Sequence, residues 1–240
     1  MTISSTFVFS LSGLNAAQDR LAVSANNTAN VNTAGFKAQY ATQADVKTGG
    51  TRINSIGSVI QPGPILRTGG ALDLSIGGNG YFSVQDAAGR ISFTRDGHFQ
   101  IDGQGRVVDS NGNFLQPAMT VPAGATAVQV TSNGQVGAVR ADGTVAPLGQ
   151  IQLAGFANPG GLARSGDNLL SATANSGASV MNAPGSGGLG MLMPGTLEGS
   201  NVDLASEIVD QIVDLRAFQA NIKPVKAADE MIGTLLDLKQ

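Results

Sequence analysis

Apolar positions recur in alternating steps of four and three residues near both ends of the chain. Toward the C-terminus the series is Leu204, Ile208, Gln211, Leu215, Phe218, Ile222, Val225, Asp229, Ile232 and Leu236, with only Gln211 and Asp229 polar. That is the a/d spacing of a heptad seam and predicts a helix over 201–239. Val209, Ile212, Val213 and Leu235 widen the apolar face, so this helix needs more than one packing neighbour. Ser200 and Asn201 read as its entry, with Asp203 in the first turn. Pro224 cannot donate to the carbonyl of Ala220, which predicts a kink there or two successive helices. The N-terminal series Phe7, Leu11, Leu14, Gln18, Leu21, Ala25, Thr28 and Asn32 keeps the same rhythm. It predicts a helix over 4–34, stopped by Gly35. Asn26, Asn27, Asn30 and Asn32 are poor choices for an exposed helix, so their amides are expected to bond specific partners.

Between the helices the pattern changes. Residues 38–70 are rich in Gly, Thr, Ser and Gln and read as an extended connector with little regular structure. From about 71 to 195, Asp96-Gly97, Asn111-Gly112, Asn133-Gly134 and Asp142-Gly143 are hairpin-type turn signals. Short runs lie among them: 81–84, 91–94, 128–130 and 151–153. The expectation is a small all-β sandwich or barrel. The organisation predicted is 1–37 helix, 38–70 connector, 71–195 β-rich domain and 196–240 helix. This is an α+β fold with paired N- and C-terminal helices as a coiled-coil stalk. A helix of that C-terminal length spans about 57 Å, beyond the ~35–40 Å of a compact globule of this size.

Composition narrows the function. The net charge is −3 with 13% charged residues, and no basic stripe marks a nucleic-acid binder. The C-terminal helical pattern carries both signs of charge, against a basic membrane-surface helix. No run is long and apolar enough to span a membrane. The first 19 residues contain no Lys or Arg, which argues against a cleaved Sec signal. There is no cysteine, so disulfides, thiolate metal sites and cysteine catalysis are excluded. Gly185, Gly187 and Gly190 match G-x-G-x-x-G, but without a preceding strand and following helix they read as a glycine loop. His98 is the single histidine and cannot build a multi-histidine metal site, while Asp96 beside it reads as a turn residue. The acids near glycines lack calcium-loop spacing and do not form a Ser–His–Asp set. No catalytic residue, cofactor or metal site is expected.

Two separated stretches resemble the flagellar rod and hook family. Residues 25–30 with Thr33-Ala34-Gly35-Phe36-Lys37 are similar to its N-terminal signature. Leu197-Glu198-Gly199-Ser200-Asn201-Val202-Asp203, followed by Arg216-Ala217-Phe218-Gln219-Ala220-Asn221, is similar to its C-terminal one. Gly80-Tyr81-Phe82-Ser83-Val84 and Phe93-Thr94-Arg95-Asp96-Gly97-His98-Phe99 agree with its middle. The length and the block 149–162 point to the rod subunits rather than the longer hook subunit. The resemblance implies a structural subunit of the basal-body rod, assembling helically through its terminal helices. Its implied partners are further copies of itself, other rod and hook proteins, and the flagellar type III export apparatus, with no nucleic acid and no small-molecule substrate. The implied location is the periplasm-spanning rod, reached without a cleaved signal peptide. The alternatives are a hook or other axial subunit of the family, or a β-rich adhesin or phage-tail-type protein.

The assembly residues expected on this reading are Phe7, Leu11, Leu14 and Leu21, with Leu204, Ile208, Leu215, Phe218, Ile222, Val225 and Ile232. Asn26, Asn27 and Asn30 are expected to fix register between subunits. Such apolar seams should be disordered until neighbours cover them.

Overall fold

A computed structural model describes residues 3–237, which divide into two compact units. The first comprises residues up to Val31, Ala38–Val59 and the segment from Val202 onward. It contains helix α1 (Ile3–Ala29), helix α2 (Leu204–Asp237) and an antiparallel hairpin of β1 (Gln39–Asp45) and β2 (Thr51–Ser58). Helix α1 ends five residues short of the sequence expectation. The N–H of Asn30 is shared between the carbonyls of Asn26 and Asn27, a tightening that unwinds the last turn before Gly35 is reached. Gly35 does adopt positive φ (68°), in a following turn. Helix α2 is entered later than expected. Asp203 caps it, its carboxylate accepting from the N–H of Ala205 (3.1 Å) and the hydroxyl of Ser206 (2.8 Å), with Glu207 as the first-turn acid. Pro224 lies inside α2, which continues unbroken to Asp237; the expected division into two helices does not occur.

The hairpin replaces most of the connector expected over 38–70. Its strands carry Thr, Gln, Ser and Asn on both faces and are half-buried at best, so no apolar alternation betrays them. The turn between them uses Gly49 and Gly50, both at positive φ (93° and 87°).

The second unit, residues 32–37 and 60–201, is built of short strands. They include β3 (Ile65–Arg67), β4 (Leu74–Gly77), β5 (Tyr81–Gln85) and β6 (Ile91–Thr94). The main sheet runs Ala163–Gly166, Leu169–Ser171, β6, β5, Phe114–Leu115, Val107–Val108, Gln100–Ile101, with Leu153–Gly155 also on β5. A three-stranded meander spans Ala125–Val130, Gln135–Arg140 and Val145–Gln150. Two ribbons pair Met191–Pro194 with β4 and Thr196–Glu198 with β3. The core gathers Leu74, Ile76, Phe82, Val84, Phe99, Leu115, Val136, Ile151, Leu153 and Leu192. Of the run 151–153, only Leu153 is in a strand; Ile151 is core without being strand.

One turn recurs through this unit. Asp86, Asp102 and Asp109 each accept, through one carboxylate oxygen, the N–H groups two and four residues ahead, at 2.8–2.9 Å. The fourth residues, Gly89, Gly105 and Gly112, take positive φ (84°, 81°, 82°). In the first two turns the fifth residue, Arg90 or Arg106, also bonds the aspartate at 2.7 Å. Asp86 titrates below the ordinary carboxylate range because it accepts the Arg90 N–H and then its guanidinium. Asp96-Gly97 is not a hairpin turn. Gly97 has ordinary φ, and a Cβ there would collide with the carbonyl of Leu74. The G-x-G-x-x-G glycines form a tight loop in which a Cβ on Gly190 would meet the Gly77 carbonyl at 2.7 Å.

Candidate assembly interface

Helices α1 and α2 pair antiparallel, but through a face other than the apolar seams. Gly13 lies opposite Asn221, Arg20 opposite Asp214 and Asn27 opposite Glu207, a layer every seven residues. The pairing positions on α1 are Gly13, Ala17, Arg20, Ser24 and Asn27; those on α2 are Glu207, Asp214, Ala217, Asn221 and Ala228. They keep the heptad rhythm in small and polar residues. At the first layer the backbone of Gly13 comes so near that a Cβ would sit 2.7 Å from Asn221 Oδ1. At the second, Arg20 Nε donates to Asp214 at 2.6 Å, and the guanidinium also reaches Gln43 of β1 at 2.5 Å. Asp214 is 5% exposed while Arg20 keeps 28% of its side chain in solvent, so the pair is partly shielded from water.

Asn27 forms the third layer and is 1% exposed. Its Nδ2 donates to the Gln39 carbonyl (2.8 Å) and Glu207 Oε1 (2.7 Å), and its Oδ1 accepts the Gln39 N–H (2.8 Å). Ser24 adds a bond to the Glu207 carbonyl, and Gln211 one to Thr28. For Asn27 the expectation of specific partners therefore holds. Asn27 spends its amide inside its own chain, however, and is not free to fix register between subunits. Asn26 and Asn30 likewise bond locally, Asn26 to Gln39 and Asn30 to Asn26. The hairpin completes the lock, since β1 meets α1 at Asn27/Gln39 and again at Arg20/Gln43. Seven helical residues rise about 10.5 Å and four strand residues about 13 Å, so helix and strand stay in step.

Six residues of the seams are exposed beside this pairing surface. Phe7 and Leu11 are each 45% exposed, Leu204 42%, Ile208 47%, Leu215 46% and Ile232 46%. Leu14, Leu21, Phe218, Ile222 and Val225 are half-buried. Val209, Ile212 and Val213 extend the exposed stripe on α2. The side chains of Leu235 and Leu236 lie outside the described residues. A helix pair glued by polar layers and apolar outside inverts the usual amphipathic arrangement. The apolar period is the louder one in the sequence and hides the quieter pairing period beside it. Its signal, small residues in heptad spacing on both helices, is present in the sequence.

In the second unit, three distant segments converge on Glu198, whose side chain is fully buried. Glu198 Oε1 accepts from Lys37 Nζ and from the Gly63 N–H (3.1 Å), and Oε2 accepts from Arg95 Nη1 (3.3 Å). Lys37 also donates to the Gln61 carbonyl (3.0 Å), and Arg95 to the Gly78 carbonyl (2.7 Å). Arg95 stacks 5.2 Å from the centroid of Tyr81. Burial pulls the Lys37 ammonium below its ordinary value, opposed by Glu198, and burial raises the Tyr81 hydroxyl. Gly35 donates its N–H to the Glu198 carbonyl at 2.7 Å, and a Cβ on it would strike the Arg95–Asp96 backbone. Thr33–Lys37, Phe93–Gly97 and Leu197–Asn201 thus meet at one buried ion triad. His98 sits apart, half-exposed, with a nitrogen 3.9 Å from Asp73.

Known proteins match this chain along nearly its whole length. Residues 8–37 match the model described as flagella basal body rod protein. Residues 75–138 match the flagellar hook protein FlgE/F/G D1 domain, and 193–238 the flagellar basal body rod FlgEFG protein C-terminal model. The chain is 38% identical over 254 residues to the flagellar basal-body rod protein FlgG of Caulobacter vibrioides, covering 95% of this chain and 97% of that protein. Identity to FlgG of Bacillus subtilis is 37% over 257 residues, covering 96% and 97%. The flagellar hook protein FlgE of Salmonella typhimurium is 36% identical over 176 residues, which is 73% of this chain and 41% of that protein.

Proposed function

This chain belongs to the flagellar rod and hook family and is a structural subunit of the basal-body rod; from that premise we propose that it polymerises through the outward seams of α1 and α2. The similarity to FlgG over the full length of the chain favours the distal rod over the hook, and sets the adhesin and phage-tail alternatives aside. One observation carries the assembly reading: the helix pair closes on small and polar layers and leaves Phe7, Leu11, Leu204, Ile208, Leu215 and Ile232 of its apolar heptads exposed. Burying one Leu or Ile is worth about 1.5–3 kcal/mol, so a seam of this length is a strong drive toward further copies. The partners are then copies of itself, neighbouring rod and hook proteins, and the flagellar export apparatus. The work done is mechanical, with no catalysis.

The test is polymerisation of purified full-length chain, followed by sedimentation and electron microscopy. Leu11→Asp and Ile208→Asp should abolish tubes while the monomer keeps its helical circular dichroism. Tubes that form as readily with both substitutions would overturn the reading.

A further inference from the structure

The chain passes between its two compact units four times, after Val31, Lys37, Val59 and Asn201. Every covalent path for force between the units runs through these crossings. On the side of the β-rich unit they belong to three segments: 32–37, which carries two of them, the start of 60–64 and the end of 197–201. All three segments are fastened to one another around Glu198, inside the β-rich unit. Resting on the rod reading above, we propose that Glu198 is the load-bearing residue of the subunit, where force entering through any one crossing is shared among the three segments and passed into the β core.

The bonds run between every pair of segments. Gly35 donates its N–H to the Glu198 carbonyl at 2.7 Å, and Asn201 donates to the Phe36 carbonyl at 3.4 Å, joining 32–37 to 197–201. The Gly63 N–H reaches Glu198 Oε1 at 3.1 Å, the Gly199 N–H the Pro64 carbonyl at 2.8 Å and Asn201 Nδ2 the Gln61 carbonyl at 2.8 Å. These join 60–64 to 197–201. Lys37 Nζ closes the ring, because it donates both to Glu198 Oε1 and to the Gln61 carbonyl. Bonds from three side chains tie the ring to the main sheet: Arg95 to Glu198, Asn168 to the Ala34 carbonyl (2.8 Å) and Arg164 to the Lys37 carbonyl (3.1 Å). A pull on any crossing therefore loads the charge-assisted bonds at Glu198 together with the rest of the ring.

Ordinary stability does not account for the arrangement. A buried ion cluster adds little that well-packed apolar side chains would not. This one also leaves Arg95 Nε buried with no acceptor among the described residues, which is a cost. What the cluster supplies is directional bonding of three chain segments at one point.

Glu198→Gln tests this, beside a core truncation such as Leu115→Ala chosen to lower the urea midpoint of the purified full-length chain by the same amount. Each variant replaces the parent chain in cells otherwise lacking it. Swimming is followed as the medium is made more viscous, which raises the torque each rod carries. The core variant should slow with viscosity as the parent does. Glu198→Gln should match the core variant in dilute medium, then stop and shed filaments at viscosities the core variant tolerates. Equal behaviour of the two at every viscosity would overturn the load-bearing role and leave Glu198 a stability residue only. If Glu198→Gln does not fold, Asn201→Ala carries the comparison against a core truncation matched to it. That change removes the Gln61 bond and leaves the ion cluster in place, and indifference to viscosity would again overturn the proposal. Cells in which the parent chain itself restores no flagella would instead sink the rod reading beneath it.

Discussion

Removing Glu198 is the sharpest probe of the buried ion triad. Its carboxylate takes three donors and is fully shielded, while Lys37 and Arg95 keep only 11% and 5% of their side chains exposed. Glu198→Ala leaves two buried cations with no counter-charge, and the Gly63 N–H without its acceptor. Breaking a buried ion pair in this way costs about 3–5 kcal/mol. A domain of this kind has about 5–15 kcal/mol in total, so the β unit should be badly weakened. The loss should also depend on pH. Burial holds the folded Lys37 ammonium below its unfolded value, and without Glu198 nothing opposes that burial. The unfolded chain then binds the extra proton, so stability rises with pH and the deficit of the variant shrinks above neutrality. Urea titration at pH 7 and pH 9 measures this, read by near-ultraviolet circular dichroism of Tyr81 under the Arg95 guanidinium; the chain has two tyrosines and no tryptophan. A loss under about 1 kcal/mol at pH 7, or a deficit that does not change with pH, would refute the reasoning.

Gly13→Ala gains about 1 kcal/mol of helix propensity but overpacks against Asn221, a cost of about 1–3 kcal/mol, so the melting temperature should fall and recover partly on adding Asn221→Ala. Burial lifts the Asp96 carboxyl above its ordinary value, against the His98 N–H and the His98 ring. Its favourable contribution is present below the unfolded value near 3.9 and lost as pH rises through the folded one. Asp96→Asn should therefore raise the urea midpoint at pH 7 and leave it unchanged at pH 3. His98→Ala should leave rod assembly and motility intact; their loss in a folded variant would point to chemistry at His98.

Much of this fold is written locally. Asp-x-x-Gly turns need only a short acidic side chain and a residue free to take positive φ, so Asn111-Gly112 reads true, and Asp142-Gly143 does so in the tight turn from Arg140, with Gly143 at positive φ. The helices follow from apolar period alone. What period cannot reveal is which face of a helix meets which neighbour. Leu11 and Ile208 carry the strongest signal and face outward, while Gly13, Ala17, Asn27 and Asp214, nearly silent on a hydrophobicity scale, make the intrachain contact. The β1–β2 hairpin was hidden for a related reason: its strands are polar on both faces and are held by bonds to Asn27, Arg20 and Ser12. Glu198 was visible as a signature residue, but its partners Lys37 and Arg95 lie 161 and 103 residues away, beyond any local pattern.

The central claim is that the chain joins its ends through a polar face and keeps the apolar face for other copies. Because the chain has no cysteine, single cysteines placed at Ala17, Ala228, Leu11 and Ile208 report on it directly through maleimide labelling, in monomer and in assembled rod. In the single chain both helices are formed and Ala17 and Ala228 are 1% and 2% exposed, so, against the expectation of termini disordered before assembly, both should resist labelling in both states. Leu11 and Ile208 should label rapidly in the monomer and become protected on assembly. Labelling at Leu11 and Ile208 that is equally fast in monomer and rod, or rapid labelling of Ala17 and Ala228 in the monomer, would contradict the account.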